Sequence, residues 1–247
     1  MEKQPNILMI MCDQFRYDCI AAHGNPIIRT PNLDRLARRG ISFSNAYSTC
    51  PVCIPARYTI RTGCEPHTTG LFENGLPMVE EGRPQDMQDR CGKYLGFVMQ
   101  DLGYRTFGIG KAHTYPDMFE DEGFMYDLRA EEMWGTMEQR EGDAYIQFLK
   151  KNYPAYTFVE QVYGERTDMY YMPQMSPMPA SVTVEGWAAD RAIEQIHASG
   201  NRPFFGFVSF IGPHPPFAPP IPFNRMYDPD RMPNPIRGDE SIDLMDE

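Results

Sequence analysis

Three short apolar runs, each breaking off into polar residues, constrain this chain more than anything else in it. Ile7-Leu8-Met9-Ile10-Met11-Cys12 is bounded by Pro5-Asn6 and by Asp13-Gln14. Tyr104 to Ile109 leads into Gly110-Lys111-Ala112-His113, and Phe204 to Phe210 stops at Gly212-Pro213-His214-Pro215-Pro216. A continuous apolar run of this length reads as a strand covered on both faces, as in a parallel sheet. Helical segments separate the runs. The pattern predicts an α/β fold, a mostly parallel sheet sandwiched by helices. Open sheets of this kind place ligands just past the carboxyl ends of their strands. Asp13-Gln14, Lys111 with His113, and His214 all stand there.

The segments between the runs carry their own punctuation. Thr30 to Gly40 reads as a helix, with Thr30 as cap, Pro31 in the first turn, arginines in the last turn and Gly40 at the end. Ile41 to Tyr47 alternates and predicts a strand or extended segment. A second short helix is expected up to Gly63. Tyr94, Leu95, Val98, Met99 and Leu102 fall at helical spacing before Gly103. Residues 184–198 predict a helix with Trp187, Ala188, Ala192, Ile193 and Ile196 inward. Residues 114–182, rich in Met, Tyr and acid, read as an insertion over one end of the sheet, with a helix near 138–151. Ten of the 23 prolines lie between 203 and 235, so the tail is expected to wrap the surface without regular structure.

The formal charge of −11, from 34 acids against 23 bases, argues against a nucleic-acid partner, which needs a broad basic face. No apolar run approaches the roughly 20 residues that span a bilayer. Before the first run stands only Lys3, with no small-residue cleavage site, so a cytoplasmic location is expected, or a periplasmic or secreted one if a leader was removed. Six cysteines sit at 12, 19, 50, 53, 64 and 91, but a chain of 247 residues does not need disulfide staples. Cys50-Pro51-Val52-Cys53 is also a C-x-x-C, which by itself reads as a redox pair or half a zinc site. No second C-x-x-C accompanies it.

The most informative stretch is Cys53-Ile54-Pro55-Ala56-Arg57, continued to Thr62-Gly63. With Pro55 in the first turn, Cys53 falls at a helix start, where free N–H groups and the helix dipole favour an anion. Arg57 lies one turn along the same face, where its guanidinium can hold an anionic oxygen. Cys-x-Pro-x-Arg with a following Thr-Gly resembles the signature of the type I, formylglycine-dependent sulfatases of the alkaline phosphatase superfamily. The opening strand with Asp13-Gln14, the Thr30 to Ala37 helix, Gly110-Lys111-Ala112-His113 and Pro213-His214-Pro215 match further motifs of that family in the same order. Asp13-Gln14, in place of the commoner Asp-Asp, resembles the branch with choline sulfatases and phosphonate monoester hydrolases.

The resemblance implies an alkaline phosphatase-like fold and a sulfuric ester hydrolase. Cys53, oxidised to formylglycine by a formylglycine-generating or anaerobic sulfatase-maturating enzyme, would supply a hydrated aldehyde as nucleophile. Asp13, Gln14 and the residue at 53 would hold a divalent cation, Ca²⁺ foremost, with Mg²⁺ and Mn²⁺ as alternatives. Arg57 and Lys111 would hold sulfate oxygens, His113 would orient or deprotonate the diol, and His214 would assist the leaving group. The substrate would be a small sulfated molecule, whether sugar, choline or aryl sulfate, with 114–182 setting specificity. The family's later metal-ligand pair has no counterpart after His214, so residues 1–247 are expected to be the N-terminal portion of a sulfatase catalytic domain. Two alternatives stand beside this reading: a phosphonate or phosphate ester hydrolase on the same fold, and a truncated, non-catalytic fragment or binding module.

Overall fold

The computed structural model describes residues 4–74, 87–114, 120–131, 141–158 and 172–234. Four strands form one sheet in the order β1-β4-β2-β3: β1 (Ile7–Cys12), β2 (Arg105–Gly110), β3 (Tyr126–Arg129) and β4 (Phe204–Phe210). Every pairing is parallel. The predicted α/β class with a parallel sheet is what the chain forms. Among the described residues the helices, in chain order, are α1 (Pro31–Arg39), α2 (Cys53–Thr62), α3 (Pro66–Thr69), α4 (Met87–Cys91), α5 (Leu95–Asp101), α6 (Ala144–Asn152) and α7 (Val184–Ser199).

Register brings the strand ends level. Cys12 pairs with Phe210, and Gly110 with Ser209. The next residues continue the ladder, since Asp13 N–H donates to the Phe210 carbonyl (3.2 Å) and Lys111 N–H to that of Ser209 (3.0 Å). Asp13 and Lys111 therefore flank the end of β4, from strands 98 residues apart in sequence. Gly110 makes the approach possible. Its φ is +94°, and a Cβ there would meet the Ser209 carbonyl oxygen at 2.0 Å.

The main core lies between β2, β4 and helices α6 and α7, and includes Phe107, Ile109, Ile146, Leu149, Trp187 and Val208. Both helices start from side-chain caps: Asp143 accepts from Ile146 N–H, and Thr183 from Gly186 N–H. On the opposite face α5 packs Met99 and Leu95 against Phe205 and Phe124. A third cluster, Ile54, Tyr58, Leu71 and Tyr94, seats α2.

Several sequence expectations need correction. β1 is not covered on both faces: Ile7, Leu8 and Ile10 are 38%, 42% and 55% exposed, because among the described residues β1 is an edge strand paired only with β4. Residues 41–47 form no strand, and Ile41, Phe43 and Tyr47 are exposed, since no neighbouring strand meets their backbone among the described residues. Ile193 points outward on α7. Thr30 does not cap α1; its hydroxyl donates to Asp34 Oδ1 (2.8 Å) and accepts from Ala21 N–H. Within 114–182 lies β3, whose four residues show no periodicity to betray a strand. The helix expected near 138–151 is α6.

Candidate active site

α2 starts at Cys53. Its N-cap, Val52, has no side-chain oxygen, and Asn74 Oδ1 accepts from Ile54 N–H instead (2.9 Å). Gly63 ends the helix in a left-handed conformation (φ +70°). The helix N-terminus thus faces the carboxyl ends of β1, β4 and β2.

Asp13 is the hub. It is 8% exposed, while Arg57 and Lys111 are 2% and 1% exposed. Arg57 Nη2 donates to Asp13 Oδ2 (3.1 Å), and the Lys111 ammonium pairs with the same oxygen. Cys53 Sγ lies 3.5 Å from each Asp13 oxygen and 3.8 Å from Lys111 Nζ. Arg57 is fixed further by Nη1, which donates to the Lys111 carbonyl (2.6 Å) and to Ser209 Oγ (2.8 Å). Two cations on one carboxylate leave a surplus positive charge beside the Cys53 thiol, in a place water reaches poorly. Such a spot is built for an anion.

The titration shifts follow from this crowding. Burial works against the Asp13 charge, but the Lys111 ammonium and the Arg57 guanidinium overcome it and hold the carboxyl down at about 2. Burial, then the positive charge of Arg57, lowers the Lys111 ammonium, opposed by Asp13. Burial and the same two cations push His113 down to about 3, so its ring is neutral at pH 7.

A cleft of about 510 Å³ opens over this cluster, walled by Asp13, Gln14, Cys53, Arg57, Asn74 and His214 among others. His214 also bears on Asp13 electrostatically. Lys111 and His113 stand behind the wall. The structure therefore gathers Asp13, Cys53, Arg57 and Lys111 in direct contact and sets Gln14 and His214 on the same cleft.

Sequence reasoning missed the layer beneath. Glu131, buried at the end of β3, accepts from the N–H groups of Ala112 and His113 (3.0 Å each) and so holds the Lys111–His113 turn, in which His113 has a φ of +55°. Glu131 is itself tied through its N–H to Asp143, the cap of α6 (2.9 Å). Arg61, one turn further along α2 than Arg57, pairs with Glu122 and donates to the Ala112 carbonyl. An acid ending an unrecognised strand carries no sequence signal; recognising β3 would have exposed Glu131.

Asp13 and Gln14 supply hard oxygens on one cleft, the chemistry Ca²⁺ or Mg²⁺ takes. They fit as part of a ligand set and do not complete a shell of six to eight oxygens. Among the described residues no group of three or more His, Cys, Asp or Glu is placed to hold a metal. Nor, among them, is any helix long and apolar enough to cross a membrane.

Comparison with known proteins places the chain in one family. The chain is similar to an arylsulfatase of Clostridium perfringens, 28% identical over 258 residues that take in 96% of this chain and 49% of that protein. It is likewise 28% identical to the multifunctional alkaline phosphatase superfamily protein PehA of Trinickia caryophylli, across 95% of this chain and 46% of that one. The chain spans about half the length of these curated relatives. Among solved structures, the phosphonate monoester hydrolase of Silicibacter pomeroyi shares the fold with a TM-score of 0.71 at 23% identity, covering 99% of this chain and 48% of that one. The family model named Sulfatase matches residues 5–233, nearly the whole sequence, and the chain belongs to the sulfatase family.

Proposed function

We propose that the chain is the N-terminal portion of a sulfuric ester hydrolase whose nucleophile is made from Cys53. The observation that carries the reading is the contact of the Cys53 thiol with Asp13 and Lys111 at the start of α2, with Arg57 locked alongside. Formylglycine at position 53, made from the thiol by an oxidising maturating enzyme, would supply a hydroxyl nucleophile for sulfur as the ester S–O bond breaks and the alcohol leaves. A divalent cation, held in part by Asp13 and Gln14 with the residue at 53, supplies charge neutralisation when bound.

The chain's own residues do the rest. Arg57 and Lys111 bind sulfate oxygens and stabilise the charge that builds on them, in a site where little reorganisation is needed. His113, kept neutral, accepts a proton from the attacking hydroxyl or orients it. His214, on the cleft wall, donates a proton to the departing alkoxide. Residues 114–182 contribute to specificity.

A phosphonate or phosphate ester hydrolase is the second reading, favoured by the fold shared with the Silicibacter enzyme. The described cluster carries two cations against one carboxylate and so attracts either kind of ester anion, and assay separates the two readings. The test pairs two measurements on protein co-expressed with a maturating enzyme. Peptide mass spectrometry should find the aldehyde at position 53. Turnover of 4-nitrophenyl sulfate should exceed that of 4-nitrophenyl phosphate and of a phenylphosphonate monoester. A reversed order would move the assignment to the second reading, and an unmodified, still active Cys53 would end the first.

A further inference from the structure

A second pocket, about 730 Å³, opens beside the Cys53 cleft. The two share Cys12 and His214 in their walls and so adjoin each other. Their linings differ in kind. The Cys53 cleft presents Asp13, Gln14, Arg57 and Asn74. The neighbour presents Phe210, Phe217, Phe223 and a row of prolines, Pro216, Pro219 and Pro220.

The few polar side chains in the second pocket, Cys12, Thr183, Glu185 and His214, are partly engaged with the protein's own backbone. Thr183 Oγ1 donates to the Ala180 carbonyl (2.9 Å) and accepts from Gly186 N–H (3.2 Å). Glu185 Oε1 accepts from Gly212 N–H (3.0 Å), and burial pushes that carboxyl upward, away from its charged form. His214 Nδ1 lies 2.9 Å from the Pro215 carbonyl, to which it donates. A hydroxylated guest would lose water in this pocket and meet mostly phenylalanine and proline, at a real cost for each unpaired hydroxyl. A flat apolar guest loses nothing.

The wall is also built in advance. Backbone bonds pin the proline-rich tail to the segment before α7: Gln174 N–H to the Phe217 carbonyl (2.8 Å), Ser176 N–H to that of Pro219 (3.2 Å), and Ile221 N–H to that of Met178 (3.2 Å). Phe217 and Phe223 are thereby held at the pocket with 42% and 49% of their surface still open. A preformed apolar pocket next to a few convergent charged groups is the usual form of a small-molecule site.

We infer that this pocket receives the leaving group of the ester and that this leaving group is aromatic and apolar, not a sugar. The inference rests on the reading of the Cys53 cleft as the sulfate site. His214, common to both walls, then stands beside the ester oxygen that joins the two parts.

Sulfonates of equal charge test it, because their carbon–sulfur bond is not hydrolysed. Calorimetry on the purified protein with Ca²⁺ present compares methanesulfonate, benzenesulfonate and 6-deoxy-6-sulfoglucose. Benzenesulfonate should bind at least about tenfold more tightly than methanesulfonate, the scale expected for burying one ring. The sugar sulfonate should bind no better than methanesulfonate. The double variant Phe217→Ser, Phe223→Ser should erase the benzenesulfonate advantage and leave methanesulfonate affinity unchanged. Equal affinity for methane- and benzenesulfonate, a preference for the sugar, or an aryl advantage that survives the double variant overturns the aromatic assignment alone. If methanesulfonate does not bind, or binds unchanged in Lys111→Met, the sulfate cleft itself falls and the leaving-group pocket with it.

Discussion

The β1 side of the sheet and the β2–β4 side are written in the same apolar alphabet and end up in different surroundings. Ile7-Leu8-Met9-Ile10 and Phe204-Phe205-Gly206-Phe207 are equally good strands by composition. Yet β4 and β2 are almost wholly covered, by α6 and α7 on one face and α5 on the other, while three of the first four residues of β1 stand open to solvent. The helix that follows β1 does not come back over it. α1 packs instead on the short turn Ala21–His23, and its Leu33 and Leu36 remain exposed. The lesson is that a strand's hydrophobicity states what it can bury, and its place in the sheet states what it does bury. The site lies on the seam between the two sides. Asp13 comes from the open one, Lys111 from the covered one, and Arg57 reaches both from α2.

The seam should be the most sensitive place. Cys53→Ala should lower ester hydrolysis by at least about a thousandfold, some 4 kcal/mol of transition-state stabilisation, while Cys50→Ala keeps near-normal turnover. Steady-state assays of both variants decide it, and equal losses would break the assignment of the nucleophile. The second expectation bears on the comparison directly. Trp187→Ala, in the covered core, should cost roughly 3–5 kcal/mol, and Ile10→Ala, on the open strand, less than about 1 kcal/mol. Urea denaturation of the two variants measures the gap. Similar losses would mean that β1 is covered in solution.

Asp13→Asn couples the two sides. It leaves the Lys111 ammonium and the Arg57 guanidinium facing each other without their carboxylate, so a loss of roughly 2–3 kcal/mol is expected, below the full cost of a buried orphan charge because Lys111 can shed its proton. Calorimetric titration should also show weaker Ca²⁺ binding; unchanged affinity would remove Asp13 from the ligand set. The smallest effect concerns pH. His113 titrates at about 3 when folded, against an ordinary 6.5, so the unfolded chain takes up the proton first. Stability from this group is full above pH 6.5 and falls as the pH drops toward 3, by on the order of 2 kcal/mol at pH 5. His113→Gln should flatten that part of the stability profile, measured as Tm against pH.

Much of the site was readable in the sequence because its residues are marked locally. Asp13, Lys111 and His214 each follow an apolar run, and Cys53 and Arg57 sit one turn apart on either side of Pro55. Strand type, helix starts and the motif order need only nearby residues to be recognised. What stayed hidden was everything that depends on distant partners. Glu131 acts on Ala112 and His113 from 18 to 19 residues away, through a strand too short to show periodicity.

The sequence by itself determined an α/β chain, its parallel sheet, and the polar residues that end its strands, because side-chain period and turn chemistry are local properties of the backbone. Only the tertiary structure decided that β4 inserts between β1 and β2, that Lys111 and Arg57 converge on one oxygen of Asp13, that β1 is left open, and that Phe217 and Phe223 close on a pocket beside His214. Strand order and convergence arise from which surfaces find cover once the whole chain has collapsed, and no local pattern encodes that choice.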